Sequence, residues 1–188
     1  MIRKNLFIYI VCFICLSCSS KKSIENEITF EVKYELLGEE YNFSKFIINP
    51  PKKWVELSTE QKDLLNKQIN SPDENIKLES AFINELYNSF MFVSRFISND
   101  ENEFKSYLSA IRKINIDFNI VESRFFYNGI DIIQLMIMKN ENVNIKLICS
   151  LPENTYLIDY IVPYEIYREE VKIIESSIGS IKISSPSN

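Results

Sequence analysis

Along the chain, one unbroken apolar run, Leu6 to Leu16, gives way to shorter segments with two different periods. Ile28 to Leu36 alternate apolar and polar residues, the period of a half-buried strand. Residues 46–49, FIIN, read as a second short strand, stopped by Pro50 and Pro51, which cannot donate to a ladder. Ser58 followed by Gln61 has the spacing of a capping box and predicts a helix to about Ile69. Leu78, Phe82 and Leu86 recur every four residues, which predicts a second helix from about Asn75 to Tyr87. FMFVSRFI, residues 90–97, is apolar at odd and even positions alike, as a strand covered on both sides should be.

Asp100 with Glu103 then predicts a helix start, followed by a stripe of Phe104, Tyr107, Leu108, Ile111 and Ile114. The next forty-odd residues read as a meander of FNIVESRFFY, IDIIQLMIM, VNIKLICSL and YLIDYIV, separated by Asn128-Gly129, KNEN and PENT. Asn-Gly between two apolar runs is a strong hairpin signal, because both residues tolerate the positive φ of a type I′ turn. Pro163 suits the first turn of a closing helix with Tyr167, Val171, Ile174 and Ile178 as its buried stripe. The order predicts an α+β fold: a largely antiparallel sheet with a C-terminal β-meander and helices packed on it.

The first run has its own meaning. It is about half the roughly 20 residues a membrane-spanning helix needs. Arg3 and Lys4 precede it and small residues follow, the layout of a secretory signal peptide. Its end, Cys15-Leu16-Ser17-Cys18, resembles a bacterial lipobox, in which apolar residues and a small residue precede an obligatory cysteine. That resemblance implies cleavage after Ser17 and lipid attachment at Cys18, although Cys15 stands where leucine is commonest and cleavage by the ordinary small-residue rule is the alternative. Two or more acyl chains anchor a protein durably where one does not. The expected organisation is a signal peptide over 1–17, a lipidated cysteine and linker over 18–27, one domain over 28–183 and a tail over 184–188. Ser19 in place of an aspartate after the cysteine favours the outer over the inner membrane of the envelope.

Charge narrows the partners. The whole chain carries −5, and the mature part is more acidic still, because Arg3 and Lys4 leave with the signal and no carboxylate does. An acidic chain without a basic cluster does not suit nucleic acid. Cys12 and Cys15 would leave as well, so Cys149 is the single free thiol expected, and the fold must hold without a disulfide.

Residues 46–54, FIINPPKKW, are similar to the aromatic, aliphatic, proline and tryptophan run of PsbP-like proteins, with Lys53 where glycine is common in that family. The element order over roughly residues 28–183 is similar too. The resemblance implies an α/β/α sandwich shared with a Ran-release factor, and an extrinsic, non-enzymatic subunit that docks on a membrane complex. It implies no particular binding residues.

The residues themselves carry little chemistry. The chain has no histidine, which removes the Ser-His-Asp and Cys-His arrangements and the commonest zinc ligand. Cys149 is in phase with Val143, Ile145, Leu147 and Leu151, which marks a core thiol rather than a nucleophile. Asp73-Glu74, Asp100 with Glu101 and Glu103, and Glu169-Glu170 read as helix starts and solvated faces, with no metal expected. Trp54 either closes one end of the core or serves as a docking anchor. Tyr156 and Tyr160 share a strand face that offers a partner contact if no helix covers it. The leading expectation is a lipid-anchored, non-enzymatic envelope protein that binds an unknown envelope protein and needs no cofactor. The alternative is a carrier of a small apolar ligand in a cleft between sheet and helices. A hydrolase built on two carboxyls about 5 to 9 Å apart is a third class, since glycosidases need no histidine.

Overall fold

The computed structural model describes residues 28–43, 45–69, 75–98, 100–152 and 154–184. The leader, Cys18, Asp73 and Glu74 lie outside the described residues. The strands are β1 (Tyr41–Phe43), β2 (Phe46–Ile48), β3 (Val55–Glu56), β4 (Ile76–Asn84), β5 (Ser89–Phe96), β6 (Asn119–Tyr127), β7 (Ile130–Met138), β8 (Asn142–Ser150), β9 (Thr155–Pro163) and β10 (Lys182–Ile183). The helices are α1 (Thr59–Ile69), α2 (Glu101–Ile114) and α3 (Tyr167–Gly179). Seven strands form one antiparallel sheet in the order β3-β4-β5-β9-β8-β7-β6, and β1-β2-β10 form a small second sheet.

The meander is where sequence and structure agree best. Asn128 and Gly129 both take positive φ, 48° and 80°, and set β6 against β7 with Tyr127 opposite Ile130. Strand β9 then pairs with β8 on one side and with β5 on the other, placing the meander beside the earlier hairpin. Ser58 and Gln61 close the expected capping box, each backbone N–H donating to the other's side chain at 3.0 and 3.3 Å.

The two faces of the large sheet are covered differently. One face lies under α3 and the small sheet, and its core joins Phe82, Met91, Val93, Leu147, Tyr156, Ile158 and Tyr160 to Phe46, Ile48, Trp54, Ile174 and Ile178. The other face lies under α2, whose Leu108 and Ile111 pack on Leu135, Ile137, Ile148 and Leu157. Beside that cluster, Lys146 on β8 and Asp159 on β9 stand opposite each other and pair at 2.5 Å, both largely buried. Burial alone would lower the Lys146 ammonium, but Asp159 and the Tyr107 hydroxyl overcome it and raise it.

Four expectations are corrected. Residues 28–33 join no ladder, and 34–36 form a 3-10 turn. Their alternation reflects a helix end rather than a strand partner: the Phe30 ring sits edge-on to Tyr127 at 5.0 Å, and a Cβ added to Gly179 would come within 2.6 Å of Phe30. The helix expected over 75–87 is strand β4 and its turn; a four-residue spacing is in phase with a strand as well as a helix. The helix does start at Asp100, whose carboxylate accepts from the Asn102 N–H while its own N–H donates to Ser98 Oγ, but Ile114, expected in the buried stripe, is exposed. Pro163 ends β9, and a 3-10 turn over Tyr164–Ile166 precedes α3.

Candidate functional site

Two surfaces at one end of the large sheet stand out, one on each face. The first is a cleft of about 300 Å³ on the α3 side. It is built by the proline loop, which is held from two sides. The Gly38 N–H donates to Pro50 O at 2.8 Å and the Lys52 N–H to Leu36 O at 2.9 Å. Ser177 Oγ donates to Asn49 O at 2.6 Å, and the Asn49 N–H donates to Ser180 Oγ at 2.9 Å. This fixed loop presents Pro51, Lys52, Lys53 and Trp54 to Glu169, Glu170 and Ile173 of α3, with Asn84 and Tyr87 of the β4–β5 turn closing the side.

Glu170 is the unusual group there. The paired glutamates read in sequence as a charged outer face, yet Glu170 is only 4% exposed, and its Oε2 is buried with no hydrogen-bond partner among the described residues. Burial raises its carboxyl above the ordinary glutamate range; the Trp54 indole and Lys53 act in the opposite direction, and Glu169 adds to the rise. Glu56, near the sheet's edge, shows the contrast. Burial pushes it upward too, but Lys62 at 2.7 Å and Ser80 at 2.6 Å donate to it and leave it lowered.

The second surface is on the α2 face. Val55, Ile83, Phe90 and Ile161 stand side by side across four strands, with Phe92 one step along the same face as Phe90. The Phe90 and Phe92 rings stack at 6.0 Å. Val55 is 65% exposed, the other four are half-buried, and none belongs to either core cluster. The corner is an apolar, aromatic strip that, among the described residues, is packed into neither core cluster.

No protein-family model and no curated protein sequence matches the chain. Among solved structures, it is similar to cyanobacterial PsbP (CyanoP) from Synechocystis, with a TM-score of 0.50 and 7% identity over 85% of this chain and 99% of that one. The fold is PsbP-like. A crystal structure from Bacteroides thetaiotaomicron also matches, at a TM-score of 0.40 and 15% identity over 76% of this chain and 46% of that one.

In this PsbP-like sandwich the three aromatic candidates are not surface groups. Tyr156 and Tyr160 are 2% and 0% exposed, because α3 and the small sheet cover their face. The Tyr160 hydroxyl bonds Ser177 Oγ at 2.8 Å, and Tyr156 donates to Phe43 O at 2.8 Å. Trp54 is buried with its ring edge-on to Tyr160 at 6.3 Å, so it closes the core and also lines the cleft. A partner cannot reach Tyr156 or Tyr160 without opening the core. The strip that does lie open, Phe90 and Phe92, came from a strand expected to be covered on both sides. Cys149 is fully buried and its thiol is pushed up to about 12 by that burial, so it does not act as a nucleophile at neutral pH. Among the described residues no group of three or more Cys, Asp or Glu side chains could hold a metal, and no helix is long and apolar enough to cross a membrane.

Proposed function

We propose that the chain is a non-enzymatic accessory protein of a bacterial envelope, held on the membrane by lipid at Cys18, that docks another envelope protein through the open corner of its sheet. The observation that carries this reading is the strip of Val55, Ile83, Phe90, Phe92 and Ile161. Aromatic rings on a pleated surface offer large contact area at low entropic cost, and apolar strips left exposed mark interaction surfaces. The leader supports the anchor through Arg3, Lys4, the apolar run and Cys18.

The anchor is tested by Cys18→Ala, expected to abolish lipid labelling and release the protein from membranes; labelling and membrane association that survive the change remove the anchor from the account. Docking is tested by a photo-crosslinking residue placed at Phe90 in living cells. A discrete protein adduct from Phe90, absent when the residue is placed at Arg124, is the expected result. Equal adducts from both positions, or none from Phe90, would overturn it.

A further inference from the structure

We propose that the cleft beside Trp54 binds a small primary amine, its ammonium held by Glu170 and its apolar body lying against Trp54, Leu36 and Ile173. Three observations converge on this. Glu170 lines the cleft, and its buried Oε2 has no hydrogen-bond partner among the described residues. A buried carboxylate oxygen left unmatched loses its hydration with nothing in return, so a natural chain ordinarily supplies it a donor. Lys52 and Lys53 also line the cleft, yet neither reaches Oε2.

The lining supplies the rest of the chemistry. Glu35, Glu169 and Glu170 outnumber the two lysines, which favours a cation over an anion. Trp54 and Tyr87 add aromatic surface suited to an ammonium group. At about 300 Å³ the space is at the small end of ligand sites, fit for one ring or a short alkyl chain rather than a lipid. Ser89, opposite the lining residue Asn84 in register, is also fully buried with its Oγ unpartnered among the described residues, although it does not itself line the cleft. The site lies on the sheet face opposite the docking strip, so it stands or falls separately from that reading.

Trp54 is the only tryptophan, and its emission therefore reports the cleft directly. The full-length protein in detergent is titrated with phenethylamine and, separately, with phenylpropionate, which has the same ring on a carboxylate. The proposal expects a saturable change with the amine and at least tenfold weaker binding of the acid. Glu170→Gln, close in shape, should weaken the amine at least tenfold without lowering the thermal midpoint. If that variant fails to fold, Ile173→Trp fills the cleft from its side and should abolish amine binding measured by calorimetry. No saturable binding of the amine, equal binding of the acid, or amine binding unchanged in either variant overturns the proposal.

Discussion

Helix α2 packs across its face of the large sheet from Phe96 on β5, which meets Phe104 and Tyr107, toward Ile120 on β6, and among the described residues two corners of that face lie outside its cluster. At one corner Val55, Ile83, Phe90, Phe92 and Ile161 present an apolar strip. At the other, Arg124 on β6 and Asp131 on β7 form a bidentate ion pair, with Nε to Oδ1 at 2.9 Å, beside Phe126. The second corner is what an exposed sheet surface usually looks like, with charges that keep water on it and discourage association. The first lacks any such charge within the strip. Lys146 and Asp159 lie between the helix-covered area and that strip, Asp159 directly opposite Phe92 in register. The difference is one of charge: an ion pair keeps the second corner hydrated, while the first offers only the apolar surface on which the proposed docking rests.

The boundary pair gives the largest expected effect. Asp159→Ala strands the Lys146 ammonium and should cost about 3–5 kcal/mol in denaturant unfolding; a loss below about 1 kcal/mol would show that the pair does not bind the two regions together. The pH dependence follows the same pair. The folded value of Lys146 is raised above its unfolded one, so its contribution is complete below about pH 10.4 and is lost as pH climbs through the folded value. Asp159→Ala should therefore flatten the alkaline limb of a stability profile.

Under α2, Leu135→Ala removes a fully buried side chain and should cost about 2–5 kcal/mol. In the open corner Phe92→Ser deletes a ring only half-buried, for about 1 kcal/mol in the isolated protein. If Phe92 instead costs as much as Leu135, the corner is core and not a free surface. At the charged corner Arg124→Ala should cost about 0.5 kcal/mol or less, since the Arg124 side chain is 70% exposed. A midpoint shift in that variant as large as Phe92→Ser produces would erase the contrast between the corners.

What the sequence disclosed follows from whether a signal was local. Asn128-Gly129 fixes a turn by backbone φ alone, and Ser58 with Gln61 fixes a helix start, so both were legible. Leu78 and Phe82 were ambiguous because a spacing of four satisfies both periods. Phe30 alternated with its neighbours for a reason 149 residues away, at Gly179. The bare corner was not legible, because nothing in residues 90–97 records how far α2 extends across the sheet. Tyr156 and Tyr160 were misjudged for the same reason from the other face, where β2 and α3 lie over them. Glu170 had a readable signal: it precedes Ile174 and Ile178 at steps of four and so falls on the buried stripe, but its acidic neighbour drew it into a solvated pair.

The most direct test of the docking claim is native mass spectrometry of the full-length protein extracted gently from its own membrane, as wild type, Phe92→Ser and Arg124→Ala. The account predicts a stoichiometric protein companion with the wild type and Arg124→Ala that is lost with Phe92→Ser. A wild-type protein that emerges alone, or a companion retained equally by all three, would contradict it.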